Sequence, residues 1–216
     1  MLVVIAIIGI LAGILLPALQ KVRGQAKVRQ AKVEMNNLAA AIKQYEATYE
    51  RFPASKATEQ AAALVNGDVT YSYGAGPNMQ ELMQILLDID LPTGVNVGHK
   101  RNPKQIRMLD AKQVTGSSSP GVSTTDWNYR DPWGNPYIVT IDLNGDGKCR
   151  DLFYGKSAVS GPGTSGLFGL TSATGAGDTY DLNNTVMVWS LGPNGLADAG
   201  VKANAGVNKD NVLGWQ

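Results

Sequence analysis

The chain has 216 residues, 25 of them glycine, with 44% hydrophobic and 17% charged residues and a formal net charge of +1. That balance excludes the basic footprint of a nucleic-acid binder and a polyacidic tail, and low charge with abundant glycine points to a loop-rich, β-containing domain, not a charged helical bundle. Cys149 and His99 each stand alone in the sequence, which rules out an internal disulfide and a His-based metal cluster.

Met1 to Leu19 (MLVVIAIIGILAGILLPAL) carries no charge. As a helix it covers about 28 Å, roughly a bilayer's hydrocarbon core. A run this apolar ends in lipid or against like segments of other chains. After Pro17 it continues without a loop signal into a polar stretch reaching Arg51, so one helix of about 50 residues would extend about 75 Å. A domain of this size has no need of such a length for its own core. A secretory signal peptide would want a basic segment before the run and a small-residue cleavage site after it, whereas Met1 opens directly into Leu2. A single-span anchor fits better. Yet Lys21, Arg23, Lys27, Arg29 and Lys32 all follow the run, and the positive-inside tendency would hold them in the cytoplasm. Gly9 and Gly13 form a small-xxx-small pair for close helix approach, or are incidental glycines of a membrane helix. Pro17 removes a helix hydrogen bond and predicts a kink or local melting.

Three segments follow: 1–19 as an apolar membrane or filament-core segment, 20–52 as the amphipathic half of the long helix, and 53–216 as one globular head. Val22, Ala26, Val33, Leu38, Ile42, Tyr45 and Tyr49 fall near one helical face, expected to pack on the head. The helix ends near Phe52-Pro53. A short helix is expected over Lys56–Val65, capped by Ser55, and another, preceded by Asn78, from Met79 to about Ile89, with Met79, Leu82, Met83, Leu86 and Ile89 on its core stripe. Asn102-Pro103 with Gln105 reads as the opening of a short helical turn. Thr115–Thr125 reads as an exposed loop. DPWGNPY (131–137) sets a double turn that launches the strand YIVTIDL, with Tyr137, Val139 and Ile141 on one side. A second strand is expected at Leu152–Tyr154, loop over Ser157–Asn184, and a third strand at Val186–Leu191. Together these predict an α+β fold, a long N-terminal helix packed against a small antiparallel β-sheet.

The best chemical motif follows the first strand: Asp142, Asn144 and Asp146 at alternating positions, Gly147 at the sixth, and Lys148 offering its carbonyl, as in a calcium loop. The bidentate Glu of the twelfth position is absent, Phe153 standing there, and Asp151 would substitute only with altered loop geometry. The same spacing also suits plain Asx turns. No G-x-S-x-G, P-loop lysine, HExxH or C-x-x-C-H motif is present, so no enzyme is indicated. His99 is the single candidate imidazole base.

The apolar run fused through one Pro to a basic amphipathic helix resembles the N-terminal region of type IV pilins and type II secretion pseudopilins. DPWGNPY, the late strand ending SLGPNG and the chain end VLGW resemble the major pseudopilin. The resemblance implies a cleaved basic leader and a Glu-bearing segment upstream of Met1, with methylation of the new N-terminus. It further implies loss of helix between Gly9 and Pro17 within a filament, and a second calcium site after the last strand. The matching positions for that site are the Leu191 carbonyl, Asn194 (where the family tends to have Asp) and Asp210 or Asn211, with Asp198 as a possible compensating acid. The expected protein is then a bacterial filament subunit, held first in the inner membrane and then in a periplasmic or extracellular helical polymer. Its expected partners are copies of itself and the secretion or pilus assembly machinery. The competing expectation is a membrane-anchored monomeric calcium-binding domain.

Overall fold

The computed structural model describes residues 2–216, with side chains described at Val4, Gly13 and Leu16 and throughout 19–216. Helix α1 spans Leu2–Tyr49. Its assignment passes through Gly9, Gly13 and Pro17 as helix. Gly9 and Pro17 lie outside the described side chains, and an added Cβ at Gly13 would meet nothing within 4 Å. Among the described residues no helix is long and apolar enough to cross a membrane, and the side chains of the Met1–Leu19 run fall almost wholly outside that description.

Among the described side chains of α1, those packed lie in its upper part. Ala31, Met35, Leu38, Ile42 and Tyr45 are fully buried, at steps of three and four residues that keep them on one face. Val22 and Val33 were expected on that face, yet they are 61% and 59% exposed, and Ala26 is exposed as well. The step of five residues from Val33 to Leu38 turns about 140° round a helix, so the expected row joins two opposite faces.

The head follows. Helix α2 (Lys56–Val65) is capped by Ser55, whose side chain accepts from Thr58 N. Strand β1 (Val69–Tyr71) leads to helix α3 (Met79–Leu86), capped by Asn78, whose side chain accepts from Gln80 N. Then come β2 (Gln113–Val114), β3 (Gly121–Ser123), β4 (Tyr129–Arg130), β5 (Ile138–Ile141), the short helix α4 (Ser157–Ser160), β6 (Val186–Ser190) and β7 (Val212–Leu213). The main sheet is antiparallel in the order β1-β5-β6-β7, and α1 packs against β6 and β7. Its register sets Val69 opposite Ile141, Val139 opposite Val188 and Trp189 opposite Leu213.

Both faces of this sheet are buried, which is why β5 (IVTI) and β6 (VMVWS) carry apolar residues on both sides. Alternation sends Val139, Ile141, Val186 and Val188 toward α1 and α3. The opposite face, Ile138, Met187 and Trp189, packs on Phe153, Tyr154, Tyr180 and Leu182. The long Gly- and Ser-rich segment thus forms a second covering layer. At its centre Phe153 stacks on Trp189 at 5.2 Å between ring centroids, and Tyr154 meets the same indole edge-on at 4.9 Å.

Three sequence expectations are corrected. Leu152–Tyr154 is a turn, because Asp151 Oδ1 accepts both Phe153 N and Tyr154 N at 2.8 Å and takes the amides a strand would pair. Asn102-Pro103 opens no helix. Asn102 accepts Ile106 N and donates to Ile106 O, closing the turn through its side chain, while Gln105 adopts φ 54°. Thr115–Thr125 contains buried β3, where Val122 N pairs with Lys112 O at 2.8 Å and Val122 enters the core. A Cβ at Gly121 would come within 2.6 Å of that same carbonyl, so the strand needs glycine there.

Candidate functional site

The loop leaving β5 folds around its own first acid. Asp142, 2% exposed, accepts Gly145 N (2.6 Å) and Asp146 N (3.3 Å) on Oδ1 and Gly147 N (2.8 Å) on Oδ2. Asn144 Oδ1 accepts Asp146 N at 3.0 Å, and Asp146 Oδ1 accepts Lys148 N at 3.0 Å. Each is an Asx turn, and the left-handed Gly145 and Gly147 (φ 76° and 80°) let the chain curl between them. The structure therefore brings Asp142, Asn144, Asp146 and Lys148 into one curl. Asp151 lies inward of it, with Oδ2 accepting Thr140 Oγ1 (2.7 Å) and Trp189 Nε1 (3.1 Å) and Oδ1 accepting two backbone amides. Both its oxygens serve the core.

Asp68, absent from the sequence reading, faces the curl from the start of β1. Its Oδ2 accepts Arg150 N at 2.6 Å, across 82 residues of chain. Its Oδ1 is buried with no hydrogen-bond partner. Burial, reinforced by the Asp142, Asp146 and Asp181 charges, pushes its carboxyl up to about 6. Beside it Arg150 makes a two-pronged pair with Asp181, at 2.6 and 2.9 Å. Asn66, Asp68, Asn144, Asp146 and Arg150 line an open groove of about 600 Å³. Nothing local in the sequence joins Asp68 to the curl; the β1–β5 pairing does so. Among the described residues no three His, Cys, Asp or Glu side chains are grouped to hold a metal ion.

The second candidate loop is closed by amides. Asn194 Nδ2 donates to Val207 O and Asp210 Oδ1, both at 2.7 Å, while its Oδ1 accepts Leu196 N at 2.8 Å. The nitrogen thus stands between two oxygens of the kind a cation would gather, and the residues do not fit a calcium ion in this arrangement. Asp198 Oδ1 accepts Gly200 N, and Asn211 Nδ2 donates to the Tyr154 hydroxyl. Leu191 immediately precedes the 3-10 turn Gly192–Asn194. Asn208, 1% exposed, gathers the carbonyls of Asp198 and Val201 at 2.8 and 2.9 Å and holds the segment together.

DPWGNPY is joined to this loop directly. Buried Asp131 accepts Trp133 N and Asn135 N on Oδ1 (2.9 Å each) and Ser190 Oγ on Oδ2 (2.5 Å). Asn135 Nδ2 donates to Gly192 O at 2.8 Å. The two segments carrying the pseudopilin resemblance, 131–137 and 190–195, therefore brace one another. His99 is engaged elsewhere. Its Nδ1 lies 2.8 Å from Asp88 Oδ1, and that hydrogen bond raises its pKa.

Compared with known proteins, the chain matches no family model, no curated sequence and no solved structure.

Proposed function

We propose that this chain is the structural subunit of a type IV pilus-like or type II secretion pseudopilus-like filament, polymerising through its N-terminal hydrophobic helix. One observation carries the reading. α1 is a single element of 48 residues, but among its described side chains head-facing burial begins at about Val28, and residues 19–27 stand exposed. Residues 19–27, with Lys21, Arg23 and Lys27, thus stand clear of the head, and on this reading they bundle with copies together with the apolar run before them. On this reading the subunit waits in the inner membrane and then enters a periplasmic or extracellular filament, doing mechanical and not catalytic work. Electron microscopy of material sheared from cells tests it. Helical filaments built of this chain are the expected result. Detergent-extracted protein that stays monomeric under every assembly condition would overturn it, in favour of a membrane-anchored calcium-binding domain.

Calcium is retained at the first loop on one observation, the orphaned buried Asp68 Oδ1. Asp68 with Asp146 and Asn144, which share the groove, would hold the ion, tying the curl to β1. Isothermal titration with calcium against an Asp68→Asn variant tests this. Binding lost in the variant is expected, and equal binding by both forms would remove Asp68 from the site.

A further inference from the structure

His99, the single histidine of the chain, sits in a strained segment that its own ring helps to hold closed. Beyond α3 the backbone turns left-handed at Asp88 (φ 55°) and again at Gly98 (62°) and His99 (55°). Asp88 and His99 carry side chains that disfavour this conformation, so the segment depends on contacts that fix it. Asp88, its side chain 13% exposed, is the anchor. Its Oδ1 accepts Asn96 Nδ2 at 3.0 Å and lies 2.8 Å from His99 Nδ1. Across the ring, Nε2 stands 3.8 Å from Asp90 Oδ2, while Asp90 Oδ1 accepts Gly98 N at 2.9 Å. The imidazole is thus clamped between two carboxylates.

One proton changes this clamp. A doubly protonated ring donates to Asp88 and turns a positive edge to Asp90. A carboxylate can only accept, so Nδ1 keeps its proton and the one lost comes from Nε2. The lone pair left there faces Asp90 and repels it. Asp90 also holds the Gly98 amide, so the repulsion acts directly on the left-handed pair Gly98-His99. Asp88 and Asp90 are the charged groups that act on the ring, and among the described residues no Lys or Arg opposes them. From α3 the segment is met by neutral Gln84, whose Oε1 accepts Val95 N at 2.9 Å. The hydrogen bond to Asp88 raises the His99 pKa. The closed form therefore has its full advantage below the ordinary histidine value of 6.5 and loses it as pH rises through the higher folded value. The chain beyond is fixed independently, since Arg101 O accepts the Tyr45 hydroxyl and Asn102 Oδ1 accepts that of Tyr49 at 2.5 Å. Release is local.

We propose that residues 88–99 form a pH-sensitive latch, closed by protonated His99 between Asp88 and Asp90 and released when the ring loses its proton. The latch stands apart from the filament reading and operates equally in a filament subunit or an anchored monomer. Its test uses the full chain in detergent, from about pH 6 to 9, across the range in which a raised histidine titrates. With one histidine present, the Cε1–H proton resonance reports the ring without ambiguity, and its midpoint is expected above 6.5. Hydrogen exchange, corrected for the intrinsic rate at each pH, reads the segment. Protection of the Gly98 and His99 amides is expected to fall at least about 3-fold across that midpoint, while amides of β5 and β6 hold steady. His99→Asn tolerates the left-handed backbone but does not titrate, and its protection should stay level through the same range. Asp90→Asn still accepts Gly98 N and can donate to the neutral ring. It should lower the midpoint and remove most of the fall. A wild-type midpoint at or below 6.5 overturns the latch, as does protection that stays level while the ring titrates. A fall of equal size in His99→Asn would assign the change to another group and also overturn it.

Discussion

Asn194 Nδ2 and Asp210 Oδ1 lie 2.7 Å apart, with the Val207 carbonyl equally close to the same nitrogen. A neutral amide here replaces a positive charge as the closure of the C-terminal loop. Asn194→Asp substitutes an acceptor for this donor and sets two carboxylates side by side. In chelator the variant is expected to lose about 1–2 kcal/mol. Millimolar calcium should restore most of it, since a cation can then bridge the pair. Thermal melts of both proteins with and without calcium check this, and the wild-type loop should show no such rescue. An Asn194→Asp protein as stable as wild type in chelator would mean that the amide bridge contributes nothing.

Asp68 makes stability depend on pH in the direction opposite to an ordinary surface acid. Its folded carboxyl is raised to about 6, whereas in the unfolded chain it titrates near the ordinary aspartate value of 3.8. Between these values the folded state binds more protons, so stability falls as pH rises from about 4 to 6. Asp68→Asn abolishes the titrating group. The variant should gain on wild type through that window and hold a constant advantage above pH 6 in chelator. Urea melts across pH 4–7 measure it. An unchanged difference across the window would contradict the assignment.

Asp151 collects four donors from three parts of the chain: the Phe153 and Tyr154 amides, Thr140 and Trp189. Asp151→Ala leaves the two amides and the Trp189 N–H buried and unpaired, while Thr140 Oγ1 keeps the Thr70 hydroxyl at 2.9 Å, and the expected loss is about 3–5 kcal/mol. Because Trp189 is one of the donors and is itself fully buried, its fluorescence should shift before global unfolding. Native-like stability in the variant would mean that water enters and satisfies the donors.

Much of the architecture was legible because local signals agreed. Ser55 caps its helix as the sequence implies, and α3, β5 and β6 lie within the predicted helix and strand runs. β1 and β7 were not legible, having three and two residues, too few to display an alternation. Their pairing is decided by partners distant in the chain. The same holds for the site. Asp142, Asn144 and Asp146 could be read from one short motif, whereas Asp68 joins them only once β1 pairs with β5. The face of α1 was misread for a different reason. Apolar residues occur on both sides of that helix, and a list of apolar positions does not separate a face that meets the head from one that meets something else.

The last residue of DPWGNPY reaches back to the stalk. Tyr137 donates its hydroxyl to Glu34 Oε2 at 2.5 Å, and Glu34 Oε1 accepts Gln30 Nε2 at 2.9 Å. Burial and the adjacent carboxylate raise the Tyr137 pKa, so it remains a donor throughout the accessible pH range. The bond ties the turn before β5 to α1 at the level where the helix first enters the head. Tyr137→Phe keeps the ring in the core, and the expected cost is about 1–2 kcal/mol, the range for a hydrogen bond to a charged acceptor in a partly buried site. Glu34→Gln should lose less, because its amide can still accept. In the double variant the two losses should fall short of their sum by about 0.5–1 kcal/mol, the sign of direct coupling. Losses that simply add in the thermal melts would mean the two groups act independently, and the tie at this level of the stalk would then rest on apolar packing around Met35 and Leu38 and on the Lys32 Nζ bond to Gln216 O.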